Sequence, residues 1–354
     1  MQYLVSTRDH PIRLHHSPTN NLLGSYPLIH GPTESYLAPS SFLFYQNDYK
    51  FIAGAENLIA TFDLNRSGEP PLTSHKTTVS RRSTGGLKGI VSALSTSCDG
   101  ILAAGTFTRG VALYNDANLR DAQVFSVGSD AATRQAGDAA AIGGAGITSM
   151  KWSSCGRYLY IAERQSDGIH VYDIRVLGKK VGVLAGRRAR TNQRMGFDVA
   201  VADGENGGHD YDRDYAHAGG YEYDQNARNS SPTYAPYPVD PPSPAGQQEG
   251  GGNHSILAGG TDGVVRVWEN PHHVVEVQYP TDELGWKAHD DAIPGVVKHP
   301  ACDVVATCSG QRHYEQEWDK DSDDEAEGEQ EGHGPEKRGK GDFSIKIWSP
   351  SMTV

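Results

Sequence analysis

A short strand-like motif recurs six times along the chain, and it limits the fold more than any other feature of the sequence. Each copy alternates apolar and polar residues and ends in an aromatic residue or a substitute for one. The copies are Ile12–His15, Ile59–Phe62, Val111–Tyr114, Ile169–Tyr172, Val265–Trp268 and Ile345–Trp348. Alternation with a period of two is typical of a strand with one buried face. The sequence therefore predicts six half-buried strands.

A second strand, rich in small apolar residues, precedes five of these copies. These upstream segments are Phe51–Gly54, Leu102–Gly105, Leu159–Ala162, Leu257–Gly260 and Val305–Cys308. Asp167-Gly168 and Asp262-Gly263 separate the two strands in two of the copies, and Asp-Gly is a strong signal for a hairpin turn. The motif is thus the second half of a repeated hairpin.

The spacing of the copies identifies the fold class. Their last residues are 47, 52, 58, 96 and 80 positions apart. Subtracting one insertion of 52 residues and one of 30 reduces the last two intervals to 44 and 50. A repeat of about 40–50 residues with this ending is typical of a WD-repeat β-propeller blade. We predict an all-β WD-repeat propeller; the alternative is a β-sandwich with coincidental spacing.

The number of blades stays open between six and seven. The first motif copy lies so near Met1 that only an inner hairpin precedes the next repeat. Propellers usually close by pairing strands from both termini, because an open sheet edge is a liability. Either the first blade is incomplete at its N-terminus, or a ring of six blades closes imperfectly.

Residues 1–354 are predicted to form a single propeller that carries two disordered insertions and one loop. Residues 203–254 hold 9 acidic and 2 basic residues, and residues 313–342 hold 12 acidic and 4 basic. Both have too few aliphatic residues to offset the entropy of ordering. Residues 66–88, with Pro70-Pro71, are predicted to be a loop. Without the two insertions the net charge of −12 becomes +3, which permits contact with nucleic acid.

The sequence lacks the motifs of common enzyme and metal sites. It contains neither a phosphate-binding Gly-x-x-x-x-Gly-Lys-Ser/Thr loop nor a Gly-x-Ser-x-Gly nucleophile turn. The four cysteines are too widely spaced for a disulfide framework or a Cys-x-x-Cys zinc site. No apolar run approaches the roughly 20 residues of a membrane span. We therefore expect no enzymatic activity, catalytic residue, cofactor, metal or membrane contact.

The densest basic run, between Gly186 and Met195, is the candidate RNA-binding site. Arginine side chains bind phosphate bidentately and stack on bases, and Asn or Gln amides can read base edges. The candidates are Arg187, Arg188, Arg190, Asn192, Gln193 and Arg194, with Gln311 and Arg312 after a later strand. In the alternative interpretation, several of these side chains hold neighbouring blades together through backbone carbonyls.

Other polar and aromatic residues are predicted to be structural. In WD repeats a histidine, a turn aspartate and the terminal aromatic residue share a hydrogen-bonded network within a blade. The candidates for such repeat positions are Asp167, Asp262, His289, Trp268 and Trp348. His289 is accordingly expected to pack within a blade and not to act as a catalyst.

Five longer strings resemble one family. They are Ser6–Ile12, Thr191–Asp198, Gly259–Val265, Val297–Pro300 and Ala306–Arg312, and they stand in this order. Together they resemble the telomerase Cajal body protein family of WD-repeat proteins. Thr-Asn-Gln-Arg-x-x-Phe-Asp is far more selective than a Trp-Asp dipeptide. The insertion at residues 203–254 departs from the family pattern and suits a fungal member.

The resemblance implies a nuclear scaffold without catalytic activity. Members bind small Cajal body RNAs and telomerase RNA within ribonucleoproteins and aid their localisation and assembly. A related yeast branch is tied to spliceosomal small nuclear ribonucleoproteins and pre-mRNA splicing. The partners implied are these RNAs and their proteins; no DNA is expected. The alternative is an adaptor that binds proteins through the propeller rim without direct RNA contact.

Overall fold

Strands make up nearly all the regular structure in the described residues. The computed structural model describes residues 1–31, 33–45, 49–78, 86–115, 119, 122–128, 142–201, 253–300, 302–310 and 341–349. The strands up to residue 126 are β1 Gln2–Val5, β2 Ile12–His16, β3 Leu22–Tyr26, β4 Ile29–His30, β5 Ser35–Tyr36, β6 Ser41–Tyr45, β7 Lys50–Ala55, β8 Leu58–Asp63, β9 Thr73–Lys76, β10 Val91–Thr96, β11 Leu102–Thr106, β12 Gly110–Tyr114 and β13 Gln123–Ser126. The later strands are β14 Ile147–Trp152, β15 Tyr158–Glu163, β16 Ile169–Asp173, β17 Lys179–Leu184, β18 Phe197–Val201, β19 His254–Gly259, β20 Val264–Glu269, β21 Glu276–Gln278, β22 Trp286–Lys287, β23 Gly295–Lys298, β24 Val305–Cys308 and β25 Ile345–Trp348. Short 3₁₀ helices span Pro271–His273 and Asp282–Leu284.

Six sheets of sequential strands form the six blades of a β-propeller. Blade 1 contains β1–β3, blade 2 β6–β9, blade 3 β10–β13, blade 4 β14–β17 with β21, blade 5 β18–β20 with β22, and blade 6 β23–β25. A separate ribbon, β4–β5, joins blades 1 and 2. All six motif copies lie in strands, which are β2, β8, β12, β16, β20 and β25. The predicted WD-repeat propeller is confirmed, with six blades.

The hydrophobic core lies between successive blades. Between blades 3 and 4, for example, Val111 and Leu113 pack with Met150 and Trp152. Equivalent clusters join blades 1 and 2, 2 and 3, 4 and 5, and 5 and 6. Trp268, which ends the fifth motif copy, is completely buried, and burial of a large apolar side chain contributes roughly 1.5–3 kcal/mol. The prediction of a single buried face is wrong for four motif copies, those in β8, β12, β16 and β20, because each of these strands packs between two neighbouring blades.

Hydrogen bonds between the innermost strands join the blades at one end of the ring. Ser41 Oγ donates to Val91 O at 2.8 Å, and Ser92 Oγ donates to Ile147 O at 2.6 Å. Gly196 N donates to Pro294 O at 2.7 Å. Because the innermost strands of blades 2 to 6 begin at this end, the connections between these blades lie there too. We call this end of the ring the connector face.

Blade 4 has a fifth strand, β21, which lies in the chain between two strands of blade 5, β20 and β22. After β20 the chain returns, and β21 pairs in parallel with β17, placing Gly182 opposite Glu276. It then continues to β22, the outermost strand of blade 5. The backbone therefore links the outer edges of blades 4 and 5.

Blade 6 has one packed face and one exposed face. Val296 and Val305 are buried against blade 5. Val297, Ile345 and Ile347 lie on the opposite face and are 57%, 79% and 68% exposed. In the described part of the chain, no cluster of buried residues joins blade 6 to blade 1.

Three predicted loop boundaries need correction. The predicted loop at residues 66–88 contains β9, because this segment pairs with β8 as the outer strand of blade 2. His254, predicted to end the insertion 203–254, is a buried residue that begins β19. Asp342, predicted to end the insertion 313–342, is hydrogen-bonded to His289. Residues 202–252 and 311–340 lie outside the described residues, so their disorder stays a prediction.

Candidate nucleic-acid interface

The connector segment, residues 185–196, links blade 4 to blade 5 and contains the predicted basic run. Its residue Thr191 accepts a hydrogen bond through its carbonyl from Gln165 N in blade 4, at 2.9 Å. Gln193 Nε2 donates to Gly310 O after β24 of blade 6, at 2.6 Å. Arg194 Nη1 donates to Ser40 O, just before blade 2, at 3.0 Å. Since blades 2 and 5 are opposite in a ring of six, Arg194 reaches across the axis of the connector face.

These contacts match the structural alternative for two of the candidates. Both Gln193 and Arg194 use a side-chain nitrogen to hold the backbone carbonyl of another blade. Arg194 is nevertheless exposed, as is Asn192. Gln311 and Arg312 lie outside the described residues, so no position can be given for either.

Arg187 cannot contact RNA, and its prediction as a phosphate ligand is wrong. Its side chain is completely buried. Nη2 donates to Gly196 O at 2.7 Å, and Nε donates to Gly259 O at 3.4 Å. Desolvation lowers the pKa of Arg187 to about 10. The guanidinium therefore holds the connector segment against blade 5 from inside.

Arg188 and Arg190 are exposed but are paired with the aspartates of two hairpin turns. Arg188 Nη1 lies 3.3 Å from Asp262 Oδ2, and its side chain is 70% exposed. Arg190 Nε lies 2.5 Å from Asp167 Oδ2, and its side chain is 59% exposed. Exposed ion pairs contribute about 0–1 kcal/mol, so a phosphate can compete for either arginine.

The two turn aspartates also organise the backbone. Asp167 Oδ1 accepts a hydrogen bond from Ala189 N at 3.0 Å. Asp262 binds Arg266 through both carboxylate oxygens, at 3.0 and 2.6 Å. Burial alone would raise the pKa of Asp262, but the hydrogen bonds and charge of Arg266 lower it overall. Each aspartate thus lies in a hairpin turn. Asp167 binds the connector segment to its turn, and Asp262 binds Arg266 of β20 to its turn.

A five-residue hydrogen-bond network in blade 6, which also contains Ser344, includes two of the predicted structural residues. His289 Nδ1 lies 3.0 Å from Asp342 Oδ2, and His289 Nε2 lies 2.8 Å from Thr307 Oγ1. Trp348 Nε1 donates to Thr307 Oγ1 at 2.9 Å. Sequence reasoning missed Asp342 because it follows a long acidic run, where one more carboxylate carries no local signal. The one feature of the sequence that could have predicted its role is its position just before β25.

Replacing His289 with alanine should lower the free energy of unfolding by about 1–3 kcal/mol, because Thr307 and Asp342 both lose a partner. His30→Ala is the matched control, since His30 is an exposed histidine that bonds Thr33 Oγ1 at 2.9 Å. The control should cost less than about 0.5 kcal/mol. Urea unfolding of both variants measures the difference, and equal losses would contradict a structural role for the network.

Sequence reasoning also missed Arg164 and Phe107. The Cζ atom of Arg164 lies 5.0 Å from the centre of the Phe107 ring. Arg164 Nε donates to Ala145 O at 2.9 Å. The two residues come from hairpin turns of blades 4 and 3, which are adjacent only in the folded ring, so neither turn alone signals the pair.

No group of three or more His, Cys, Asp or Glu side chains in the described ranges could hold a metal ion. Within those same ranges, no helix is both long enough and apolar enough to cross a lipid bilayer.

Comparison with known proteins relates the chain to curated WD-repeat relatives. Telomerase Cajal body protein 1 of Bos taurus is 23% identical over 314 residues, which cover 88% of this chain and 44% of that protein. The Rattus norvegicus protein of the same name matches equally, at 23% over 314 residues. The resemblance to the telomerase Cajal body protein family is confirmed.

A fungal relative and a solved structure extend the comparison. "Guanine nucleotide-binding protein negative regulator 1" of Schizosaccharomyces pombe is 28% identical over 328 residues, covering 90% of this chain and 63% of that protein. The chain thus spans less than two thirds of the length of these curated relatives. A chain in the crystal structure of a mitotic checkpoint complex matches with a TM-score of 0.50 and 11% identity, over 87% of this chain and 67% of that one. No family model matches the chain.

Proposed function

We propose that this propeller is a non-catalytic nuclear scaffold that binds small Cajal body, telomerase-type or spliceosomal small nuclear RNAs within their ribonucleoproteins. In this role it aids the localisation and assembly of these particles, or pre-mRNA splicing. The observation that carries the proposal is the relationship to telomerase Cajal body proteins along 88% of the chain. The exposed arginines of the connector segment supply a surface suited to phosphate.

The proposed RNA contacts are Arg188, Arg190, Asn192 and Arg194 on the connector face. All four are exposed. Gln193 contributes by holding the segment to blade 6. Gln311 and Arg312 stay candidates from the sequence alone. The ion pairs of Arg188 and Arg190 are exposed and contribute little free energy. Exchange of the aspartate carboxylate for an RNA phosphate therefore costs little free energy.

Changing both Arg188 and Arg190 to glutamate should weaken RNA binding about tenfold or more and flatten its salt dependence. Each lost phosphate contact reduces the slope of log affinity against log salt by about 0.7 for single-stranded RNA. Arg175→Glu is the matched control, because Arg175 is 55% exposed, pairs with Asp173 at 2.7 Å and lies at the opposite end of blade 4. Filter binding across a salt series measures both quantities. Unchanged affinity and unchanged salt slope in a folded double variant would contradict the proposal that this surface binds RNA.

A protein-binding adaptor is the second candidate function. It is favoured by the pairing of Arg188 and Arg190 with aspartates, which leaves the face less basic than its sequence indicates. The fungal relative also carries the name of a regulator of a guanine nucleotide-binding protein. Crosslinking in cells followed by sequencing of attached RNA distinguishes the two candidates. Enrichment of small nuclear or Cajal body RNAs supports the scaffold, and background RNA alone supports the adaptor.

A further inference from the structure

Phe107 and Arg164 form a cation–π pair on the connector face, between blades 3 and 4. The Arg164 guanidinium lies over the Phe107 ring, with Cζ 5.0 Å from the ring centre. Such cation–π contacts contribute about 0.5–1 kcal/mol when exposed. The hydrogen bond from Arg164 Nε to Ala145 O, at 2.9 Å, fixes a second point of the planar group. The guanidinium is therefore oriented before any ligand arrives.

The backbone beneath this pair is tightly held. Arg164 N donates to Gly146 O at 2.9 Å, and Ala145 N donates to Arg164 O at 3.0 Å. Phe107 N donates to Ile90 O at 3.2 Å. Gly146 has φ +138, and a Cβ there would collide with the backbone carbonyl of Phe107. Only glycine lets the two blades approach this closely, so the pair rests on a rigid base.

Arg164 differs from the neighbouring arginines in its partners. Arg109, Arg188 and Arg190 each form an ion pair with a carboxylate. Among the described residues, no carboxylate lies within ion-pair distance of Arg164. Its side chain is half-buried and keeps a positive charge that no described carboxylate neutralises.

The pair borders the proposed RNA contacts. Gln165, the next residue after Arg164, donates its backbone N–H to Thr191 O at 2.9 Å. Asp167 of the same turn pairs with Arg190. Arg164 and Arg190 therefore lie around the same hairpin turn of blade 4.

We propose that Phe107 and Arg164 form a stacking platform for one unpaired RNA base. Proteins recognise single-stranded RNA by stacking its bases on aromatic rings or on arginine guanidinium planes. Here the guanidinium is the stacking surface and the phenyl ring supports it from below. The inference rests on the proposed RNA-binding function and adds base stacking to a site otherwise made of phosphate contacts.

The test compares a short single-stranded oligoadenylate with an abasic oligomer of the same length. Stacking on one base is worth about 1–3 kcal/mol, or roughly 5–150-fold in affinity. The unaltered protein should prefer the base-containing RNA by at least about fivefold. Arg164→Lys keeps the charge but loses the plane, and Phe107→Leu keeps the packing but loses the ring. Both variants should lose most of the preference and keep the abasic affinity within about twofold.

Arg175→Lys is the control variant, because Arg175 lies at the far end of blade 4 and should leave both affinities unchanged. Thermal unfolding checks that every variant is folded. Equal binding of both oligomers by the unaltered protein would overturn the platform while leaving RNA binding in place. A folded Arg164→Lys variant that keeps the preference would overturn it too. Failure to bind either oligomer, with capture of a polyglutamate peptide instead, would overturn the RNA-binding proposal itself.

Discussion

Replacing Glu163 with alanine should lower the free energy of unfolding by about 3–5 kcal/mol, because it breaks a buried charge network between two blades. Glu163 ends β15 and its side chain is completely buried. It accepts hydrogen bonds from Arg109 Nε at 2.8 Å and Arg109 Nη2 at 2.9 Å. His170 Nε2 lies 3.1 Å from Glu163 Oε2, and Gly146 N donates to Glu163 Oε1 at 3.2 Å. Removal of the carboxylate leaves all these groups without their acceptor.

The same network makes stability depend on pH. Burial alone would raise the pKa of Glu163, but hydrogen bonds from His170 and Arg109 outweigh burial and lower the pKa below its usual 4.5. A carboxylate with a lowered pKa contributes stability that is complete above its unfolded-state pKa and is lost as the pH falls through the folded-state pKa. The difference in stability between the unaltered protein and Glu163→Ala should therefore narrow below pH 4.5.

Glu69→Ala is the matched control for this variant. Glu69 also pairs with an arginine, Arg66, but the pair is 3.8 Å apart and half exposed. Exposed pairs contribute about 0–1 kcal/mol. Chemical denaturation at pH 7 and at a series of lower pH values measures both variants. A loss at Glu163 no larger than that at Glu69 would show that the buried network does not stabilise the ring.

The sequence predicts the repeated strands of this fold well, because each of these strands has a recognisable local pattern of apolar and polar residues. Each motif copy alternates in sequence and forms a strand, although four copies, such as Ile169–Tyr172 of β16, are buried on both faces. Local alternation is enough to find such strands. Asp262-Gly263 marks its turn because Gly263 has a positive φ of 72°, whereas in the Asp167-Gly168 turn the positive φ falls on Gln165.

The candidate site is harder to predict, because exposure within a loop depends on the blades around it. In the connector segment the burial alternates: Arg187 and Ala189 are buried, and Arg188 and Arg190 are exposed. Four basic residues in one run look equivalent by type. Ala189 is the residue from which this could have been predicted. An apolar residue two positions after Arg187 indicates that positions 187 and 189 share the buried side of the segment. The pairing of Arg164 with Phe107 had no such clue, because it forms across two blades.

Changing Arg187 to glutamate should destabilise the propeller by at least about 3–5 kcal/mol, whereas Arg188→Glu should cost less than about 0.5 kcal/mol. The buried carboxylate would face Gly196 O and Gly259 O, which are both acceptors, so the lost donor would be replaced by a third acceptor. Arg187→Met removes the charge without reversing it, so it should cost about 1–3 kcal/mol for the two carbonyls left unpaired. Urea unfolding of the three variants tests this order.

The order of these losses also decides how RNA-binding variants are interpreted. If Arg187→Glu unfolds the chain, any variant that includes it loses RNA binding through loss of the fold, and the loss gives no information about phosphate contacts. Arg188→Glu and Arg190→Glu leave the buried Arg187 guanidinium in place. A change in the salt dependence of RNA binding by these variants therefore reports on the exposed surface alone. An Arg187→Glu variant as stable as Arg188→Glu would instead mean that Arg187 is accessible, and would return it to the set of RNA contacts.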